Sequence, residues 1–228
     1  KEGPAEYSSH LFVEWKDGHE TFVDLVKDNQ QFVLEECHVQ DEGFHPLSPM
    51  PDEHIYGRHT YYKGASIMHN LRAYLGDEVF RQAGQDVIAA RFDSHMDVAD
   101  FEMLLEEATG EDLTPFFEAQ ALQPGFSTWV VDSMSTGPEN GCFATTLHLH
   151  QKLRACSGFH ENEPLDVTLW NAQWDTTLVH ARVGGEFDQI TFQHEEPFIL
   201  IGLNADGRLN QGRLDHTFAV TEPTGLVE

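Results

Sequence analysis

Residues 60–80 read TYYKGASIMHNLRAYLGDEVF, and this stretch decides how the first half of the chain folds. Within it, Ile67, Leu71 and Leu75 recur every four residues. Side chains at that spacing lie on one face of an α-helix. Gly76 follows them, and glycine often ends a helix because it tolerates a left-handed backbone. The stretch therefore predicts a helix with one buried face that ends near Gly76.

Helical signals continue on both sides of this stretch. Asp97 offers an N-cap and Gly110 a C-terminal stop for one further helix. Thr114 followed by Pro115 predicts the start of another. Residues 38–58 lose the periodicity and hold three prolines, so we expect a long irregular segment, which is often functional. The apolar residues that mark the other helices are Tyr7, Leu11, Trp15, Phe22, Val26, Phe32, Val33, Val79, Phe80, Ala83 and Val87.

The second half of the chain changes to the period of a β-strand. Residues 143–150 alternate with period two, which predicts a strand with one buried face. The further strand candidates are residues 165–170, 177–181, 187–192 and 197–203. Asp206-Gly207 signals a turn, and short strands at this spacing favour a β-sandwich. We therefore expect a helical domain over residues 1–127 and a β-sandwich domain over residues 128–228.

The charge of the chain restricts its partners. It carries 39 acidic against 13 basic residues, for a net charge of −26. Nucleic acid and anionic membrane surfaces are disfavoured, because binding them needs a basic patch. No apolar run approaches the roughly 18 residues of a membrane span. We expect a soluble protein and no nucleic-acid or membrane partner, with a periplasmic, secreted or cytoplasmic location all open.

The three cysteines are Cys37, Cys142 and Cys156, and no two of them form a C-x-x-C motif. A structural zinc site of that kind is therefore absent. Cys142 and Cys156 either pair across a β-hairpin or remain half-buried thiols, and we favour the thiols.

Zinc peptidases of one large class carry H-E-x-x-H on a helix, with two zinc-binding histidines on one face and a glutamate base between them. The pair His-Glu occurs at His19-Glu20, His160-Glu161 and His194-Glu195, with Val23, Pro164 and Phe198 at the place of the second histidine. The motif is absent, and we expect all three pairs on the solvated surface. His148 and His150 share a strand face that we expect to be exposed rather than to chelate a metal. For His54 and His59 in the irregular segment, contact with a ligand is an open alternative.

Six short motifs follow one another in the first half of the chain: Tyr61-Tyr62-Lys63-Gly64-Ala65, Leu75-Gly76-Asp77-Glu78-Val79-Phe80, Asp100-Phe101, Gly110-Glu111-Asp112-Leu113, Phe116-Phe117 and Pro124-Gly125-Phe126. In this order they resemble the run Y-x-K-G-A, L-G-D-x-x-F, D-F, G-x-D-L, F-F and P-G-aromatic of the aminopeptidase N family of gluzincin zinc metallopeptidases. The resemblance covers residues 1–127 and extends more faintly to residues 203–207. It implies an α+β fold, in which the helical C-terminal half of a thermolysin-like metallopeptidase domain precedes an all-β sandwich domain. It also implies a hydrolase that removes N-terminal residues from peptides.

The resemblance implies a catalytic role for Tyr61. The tyrosine of Y-x-K-G-A in that family donates a hydrogen bond to the oxyanion of the tetrahedral intermediate, and Tyr61 rather than Tyr62 matches it. A neutral phenol hydroxyl can stabilise such developing negative charge. We expect Lys63 and Gly64 to shape the turn and the helix start.

The resemblance also implies a metal ligand at Glu2. The family's third zinc ligand is a glutamate in a segment like N-E-G-F-A-x-Y, and residues 1–7 read KEGPAEY. Two positions depart from the pattern, since Lys1 stands where asparagine is usual and Pro4 where a large apolar residue is usual. A proline there removes a backbone donor from an early helical turn.

Catalytic zinc normally takes three protein ligands and a water, whereas this sequence offers one matched ligand. We therefore expect a fragment, or one chain of a nicked enzyme, that neither retains Zn²⁺ nor cleaves peptide by itself. Its expected partners are the peptide substrate, the missing N-terminal half of the catalytic domain and further copies of itself. Epoxide hydrolase chemistry, which also occurs in the family, stays open. The alternatives are a non-catalytic binding scaffold on the same fold and, more weakly, an adhesion or carbohydrate-binding module.

Overall fold

The computed structural model describes residues 2–205, residue 207 and the backbone of residues 218–219. The helices are α1 (Glu2–Asp17), α2 (His19–Glu35), α3 (Cys37–Gln40), α4 (Gly64–Leu75), α5 (Asp77–Ala90), α6 (Val98–Thr109) and α7 (Thr114–Gln120). A 3-10 turn spans Asp52–His54, and a π-helical turn spans His59–Lys63 directly before α4. Within this described part, no helix is long and apolar enough to cross a membrane.

The strands follow the helices in the chain. They are β1 (Phe126–Glu139), β2 (Cys142–Arg154), β3 (Glu163–Trp170), β4 (Thr176–Val183), β5 (Phe187–His194), β6 (Leu200–Leu203) and β7 (Phe218–Ala219). They form a three-stranded sheet in the order β1-β2-β5 and a four-stranded sheet in the order β4-β3-β6-β7. All pairings are antiparallel. The chain is thus α+β, with helices first and a β-sandwich second, as predicted.

The helix signals read from the sequence are confirmed. Helix α4 buries Ile67 and Leu71 and ends before Gly76, whose φ is 83°. The side chain of Asp97 caps α6 by accepting a hydrogen bond from the Asp100 N–H at 2.8 Å. Gly110 adopts the left-handed conformation that ends α6. These local patterns held because each depends on side chains or backbone within one turn.

Two features of the helical part were not predicted. The irregular segment over residues 38–58 contains the end of α3 and the 3-10 turn. Residues 59–63 form a π-helical turn, which the period of an α-helix does not encode. Tyr61, the tyrosine with the expected catalytic role, therefore lies in the π-helical turn rather than in helix α4, which follows it.

Strand β1 was also missed. Its second half reads DSMSTGPE and shows no alternation of apolar and polar residues. It is a strand because β2 pairs with it along its whole length, from Phe126 opposite Arg154 to Glu139 opposite Cys142, with an irregularity after Val131. The four strand candidates further along are confirmed, although β6 begins at Leu200. The predicted turn at Asp206 lies outside the described residues.

Each part of the chain has its own apolar core. The sandwich core joins both sheets, with Leu147 and Leu149 of β2 facing Val167 and Leu169 of β3. A separate cluster packs α4 to α7 together, and a third packs α1 on α2 and α4. The chain passes from helix to strand between α7 and β1, while the division into two domains at residue 127 stays a prediction.

Candidate active site

Tyr61 lies in the π-helical turn and is half-buried. Its neighbour Tyr62 packs on Phe32 of α2, with ring centroids 4.2 Å apart and ring planes tilted by 31°. Side chains of successive residues in a helical turn project in different directions. The Tyr62 ring thus packs against α2, whereas Tyr61 makes no ring contact of this kind among the described residues.

A buried carboxylate fixes the start of the turn. Asp41 accepts hydrogen bonds from the Arg58 N–H at 2.8 Å and the His59 N–H at 2.7 Å. It also accepts one from His59 Nδ1 at 2.7 Å. Gly57 is required beside it, because a Cβ there would lie 2.9 Å from both carboxylate oxygens. Asp41 therefore holds the first residues of the turn that carries Tyr61.

The charge state of this pair follows from its surroundings. Burial opposes ionisation of Asp41, but the backbone and side-chain hydrogen bonds from His59 and Arg58 outweigh it and lower the pKa of Asp41. Burial also lowers the pKa of His59, in spite of the carboxylate next to it. The pair is thus a carboxylate with a neutral imidazole at neutral pH.

The end of the turn is fixed by Lys63. Its ammonium is buried and donates hydrogen bonds to the backbone oxygens of Gln123 at 2.9 Å and His45 at 3.5 Å. Burial lowers the pKa of Lys63 to about 8. Lys63 therefore ties the turn to the segment after α7, in agreement with the expected structural role.

Helix α1 packs directly on the residue that follows this turn. A Cβ added to Gly3 would lie 2.6 Å from the Gly64 Cα, so the two backbones touch and only glycine fits. Further along, the Tyr7 hydroxyl hydrogen-bonds His69 Nδ1 of α4 at 3.0 Å. These contacts hold the start of α1 against the start of α4.

Glu2 is the first residue of α1 and precedes Gly3, and it is half-buried. The fold thus places Glu2 and Tyr61 on two touching segments, α1 and the π-helical turn. Among the described residues, no group of three or more His, Cys, Asp or Glu side chains can hold a metal ion. These residues alone therefore do not make a zinc site, which needs three protein ligands.

The expectation of solvated His-Glu pairs was wrong for two of the three histidines. His160 is 3% exposed and His194 is 8% exposed. His160 Nδ1 bonds Glu163 Oε1 at 2.7 Å, and His194 Nε2 bonds the Thr145 hydroxyl at 2.9 Å. Both rings turn inward because the sandwich supplies partners for them, which a dipeptide pattern cannot indicate. His19 is exposed, as expected.

The exposure and contacts of the remaining histidines and of the cysteines mostly agree with the predictions. His148 is exposed, and His150 bonds Asp132 at 2.7 Å. His54 stacks on the ring of His45, whose centroid is 4.4 Å away. All three cysteines are free thiols, which confirms the favoured alternative.

Sequence reasoning missed Asp41, the residue that holds the turn. Its partners lie 17 and 18 positions further along the chain. No helix period, strand period or short motif connects residues so far apart. Only the fold brings that carboxylate under the π-helical turn.

Comparison with known proteins matches residues 1–120 to the peptidase family M1 domain. The probable aminopeptidase 1 of Sulfurisphaera tokodaii is 30% identical over 128 residues, which cover 54% of this chain and 15% of that protein. Aminopeptidase N of Lactococcus lactis is 34% identical over 130 residues, which cover 51% of this chain and 13% of that protein. The chain thus spans about one seventh of the length of these relatives.

The fold has a counterpart among solved structures. Aminopeptidase A of Legionella pneumophila, solved in complex with aspartic acid, superposes with a TM-score of 0.72 at 15% identity. The match covers 96% of this chain and 24% of that one, so both the helical part and the β-sandwich are included. Since the family model spans more than half of the chain and the same fold recurs in an aminopeptidase, this chain belongs to peptidase family M1.

Proposed function

We propose that this chain is part of a zinc-dependent aminopeptidase that hydrolyses N-terminal residues from peptides. The observation that carries the proposal is the π-helical turn, which is clamped at one end by Asp41 and at the other by Lys63. It leaves Tyr61 free of the packing that occupies Tyr62 and lies against the segment that begins with Glu2. This arrangement lies within the region that matches the family.

In this proposal Tyr61 donates its hydroxyl hydrogen to the oxyanion that forms when water attacks the peptide carbonyl. Such a donor is most effective when it is preorganised, so that no reorientation is needed as charge develops. The two clamps on the turn supply that preorganisation. Bound zinc would polarise the carbonyl and activate the attacking water.

Glu2 in this proposal supplies one carboxylate ligand to the metal. The other ligands and the general base come from a longer protein, in keeping with the small share of its relatives that this chain spans. The partner of this chain is then the N-terminal half of the catalytic domain. By itself the chain binds no zinc tightly and turns over no peptide.

The test is hydrolysis of aminoacyl-anilides by the full-length protein, with the 228-residue chain assayed in parallel. We expect activity in the full-length protein, its loss on chelation and its recovery with added zinc. After dialysis against trace zinc, the 228-residue chain should contain no stoichiometric metal and show no turnover. Turnover by the chain alone would contradict its proposed inactivity, and a metal-loaded but inactive full-length protein would favour the binding scaffold instead.

A further inference from the structure

A groove lies between the helices and the β1–β2 ladder. Its volume is about 570 Å³, which is within the range of small-molecule binding sites. One wall comes from the end of α2 and from α3, with Leu34, Glu35 and His38. The start of β1 and the end of β2 form the other wall. The groove is thus built jointly by the helical part and the sandwich.

The register of the two strands explains which side chains form the second wall. Phe126 lies opposite Arg154, and Thr128 lies opposite Lys152. Residues two apart on a strand share a face, and residues directly opposite each other share it too. Trp129, at the alternate position, packs into the core of the sandwich. The groove is therefore lined by the outer face of the ladder, with two cationic side chains on it.

Aromatic contacts hold the Arg154 guanidinium at this groove. Its Cζ lies 5.7 Å from the centroid of the Phe44 ring. His38 stacks on Phe44, with ring centroids 4.4 Å and ring planes 5° apart, and Phe126 meets Phe44 edge-on at 6.2 Å. A guanidinium that rests on an aromatic face keeps its N–H groups available for hydrogen bonds in its own plane. Arg154 is thus positioned without using its donors.

The charge of Arg154 is not balanced by a neighbouring acid. Among the described residues, its guanidinium makes no ion pair with a carboxylate. Glu35 and Lys152 add one charge of each sign to the groove, so its lining is net positive. The whole chain carries −26, so a net positive lining is a local exception. A guanidinium in this state is suited to a carboxylate, which it binds through two parallel N–H donors.

The rest of the lining includes apolar surface on both walls. Leu34 contributes from α2, and Phe126 and Leu153 contribute from the ladder. Apolar surface of this kind is stabilised when a ligand removes it from water. A ligand that matches the groove therefore has one carboxylate for Arg154 and an apolar body for these residues.

We propose that this groove binds a small monocarboxylate that carries an aromatic or branched apolar group. Arg154 donates two N–H groups to the ligand's carboxylate, and Leu34 and Phe126 contact its apolar group. Binding is reversible and involves no covalent step. None of these residues has a role in the proposed peptide hydrolysis, so the two proposals stand or fall separately.

The experiment titrates hydrocinnamate, a phenyl ring on a short carboxylic acid, into the 228-residue chain and the full-length protein by isothermal calorimetry. Its amide, hydrocinnamamide, has the same shape without the charge and is the control ligand. We expect the acid to bind about tenfold more tightly than the amide, because only the acid forms charge-assisted hydrogen bonds. Equal binding of acid and amide would overturn the proposal. So would binding to the chain but not to the full-length protein, since the rest of the protein would then fill the groove.

A variant pair locates the site. Arg154→Gln removes the guanidinium, and Arg81→Gln alters an arginine of α5 that pairs with Glu78, as the control. We expect the acid to bind about tenfold more weakly to Arg154→Gln and unchanged to Arg81→Gln. Acid held by a bound metal in the full-length protein would persist in Arg154→Gln, so only the binding lost in this variant counts. Undiminished binding to Arg154→Gln would overturn the proposal. Arg154 is exposed, and urea unfolding verifies that the variant folds. The comparison of acid with amide in the wild-type chain decides without any variant.

Discussion

The helical part and the sandwich each bury a histidine against a carboxylate, and the two pairs are alike in geometry. His59 and Asp41 are 2.7 Å apart, with side chains 3% and 5% exposed. His160 and Glu163 show the same distance and the same two exposures. Their protonation nevertheless differs, because the pKa of His59 is lowered whereas that of His160 is raised to about 9.

The difference lies in what else surrounds each pair. Asp41 accepts two backbone N–H groups, and His59 faces the positive Lys63 and a second histidine, His45. His160 instead faces the Cys156 thiol in addition to its carboxylate. Distance and burial therefore do not set the charge of a histidine–carboxylate pair by themselves. The neutral pair supports a turn of proposed catalytic function, and the charged pair lies where the sandwich meets the helices.

The largest effect is expected on catalysis at Tyr61, whose turn is held by the His59–Asp41 pair. In the full-length protein, the proposed oxyanion role predicts that Tyr61→Phe lowers kcat by roughly 10²–10³-fold, or about 2.7–4 kcal/mol, as for other single oxyanion donors. KM should change little, because the bond strengthens only in the transition state. The ring and its packing remain, so the free energy of unfolding should change by less than about 1 kcal/mol. Steady-state kinetics and urea unfolding provide the two measurements.

Tyr62→Phe is the control for that prediction. Its ring packs on Phe32, so activity should stay within a few-fold of wild type. A crippled Tyr62→Phe enzyme with a mild Tyr61→Phe change would mean that the two tyrosines have exchanged roles. The assignment of Glu2 would then have to be re-examined, because both assignments depend on the same alignment of motifs.

The next largest effect is expected on stability at Asp41. Asp41→Asn keeps the shape of the side chain but turns one acceptor into a donor that faces N–H groups. We expect a loss of about 3 kcal/mol in the free energy of unfolding, because buried N–H donors lose a charged acceptor. The pKa of Asp41 is lowered in the folded state, so its contribution is complete above the unfolded value of 3.8 and is lost as the pH falls through the lower folded pKa.

The Asp166–His180 pair provides the comparison for Asp41→Asn. Its atoms are 2.6 Å apart, but the His180 side chain is 59% exposed. The His180 ring can be hydrated when its partner is lost, whereas the Asp166 side chain is only 8% exposed, so we expect Asp166→Asn to cost less than Asp41→Asn, at about 1–2 kcal/mol. Equal destabilisation of the 228-residue chain by both variants in urea would show that the backbone donors around Asp41 add nothing.

How much of this was predictable depends on how local each feature is. Gly76, Asp97 and Gly110 fulfil their predicted roles because helix ends depend on residues within one turn. A turn before α4 was expected from the motif, but its π-helical form was not, since Asp41 fixes the backbone from outside the segment. The pKa shifts of Asp41 and His59 could not be predicted from the sequence either, because they depend on groups that only the fold brings together.

In the sandwich, too, sequence patterns predict local features but not those that depend on distant partners. The alternation of β2 was sufficient to place its buried face, with Leu147 and Leu149 inside. Strand β1 has no such pattern in its second half and owes its form to pairing with β2. His160 was predicted to be solvated because its partner Glu163 carries no signal in the sequence that it is buried. Glu163 is only three residues from His160, but the pair is buried by contacts with Ser127, Trp129 and Gln120, which lie 33 or more positions away, so long-range contacts decide such positions.

For the His160–Glu163 pair we expect a smaller effect on the free energy of unfolding, with a pH dependence opposite to that of Asp41. Because the folded pKa of His160, about 9, lies above its ordinary value of 6.5, its proton stabilises the folded state. This contribution is complete below pH 6.5 and is lost as the pH rises through about 9, with a magnitude of about 2–3 kcal/mol. Urea unfolding between pH 6 and 10 measures it. Glu163→Gln should flatten the profile, and an unchanged slope would contradict the assigned charge of His160.

The smallest effect on stability is expected at the exposed aromatic residues of α1. These residues are instead expected to affect self-association. Trp15 is 78% exposed and lies beside Phe12, which is 56% exposed. We expect this apolar pair to promote self-association of the 228-residue chain, and more so at high salt, which screens the −26 charge. Trp15→Ser should weaken association while changing the free energy of unfolding by about 0.5 kcal/mol or less.

Trp174 of the sandwich is 65% exposed and gives the matched control, Trp174→Ser, which should associate like wild type. Sedimentation at low and high salt decides, and equal weakening by both variants would show that general hydrophobicity rather than α1 drives association.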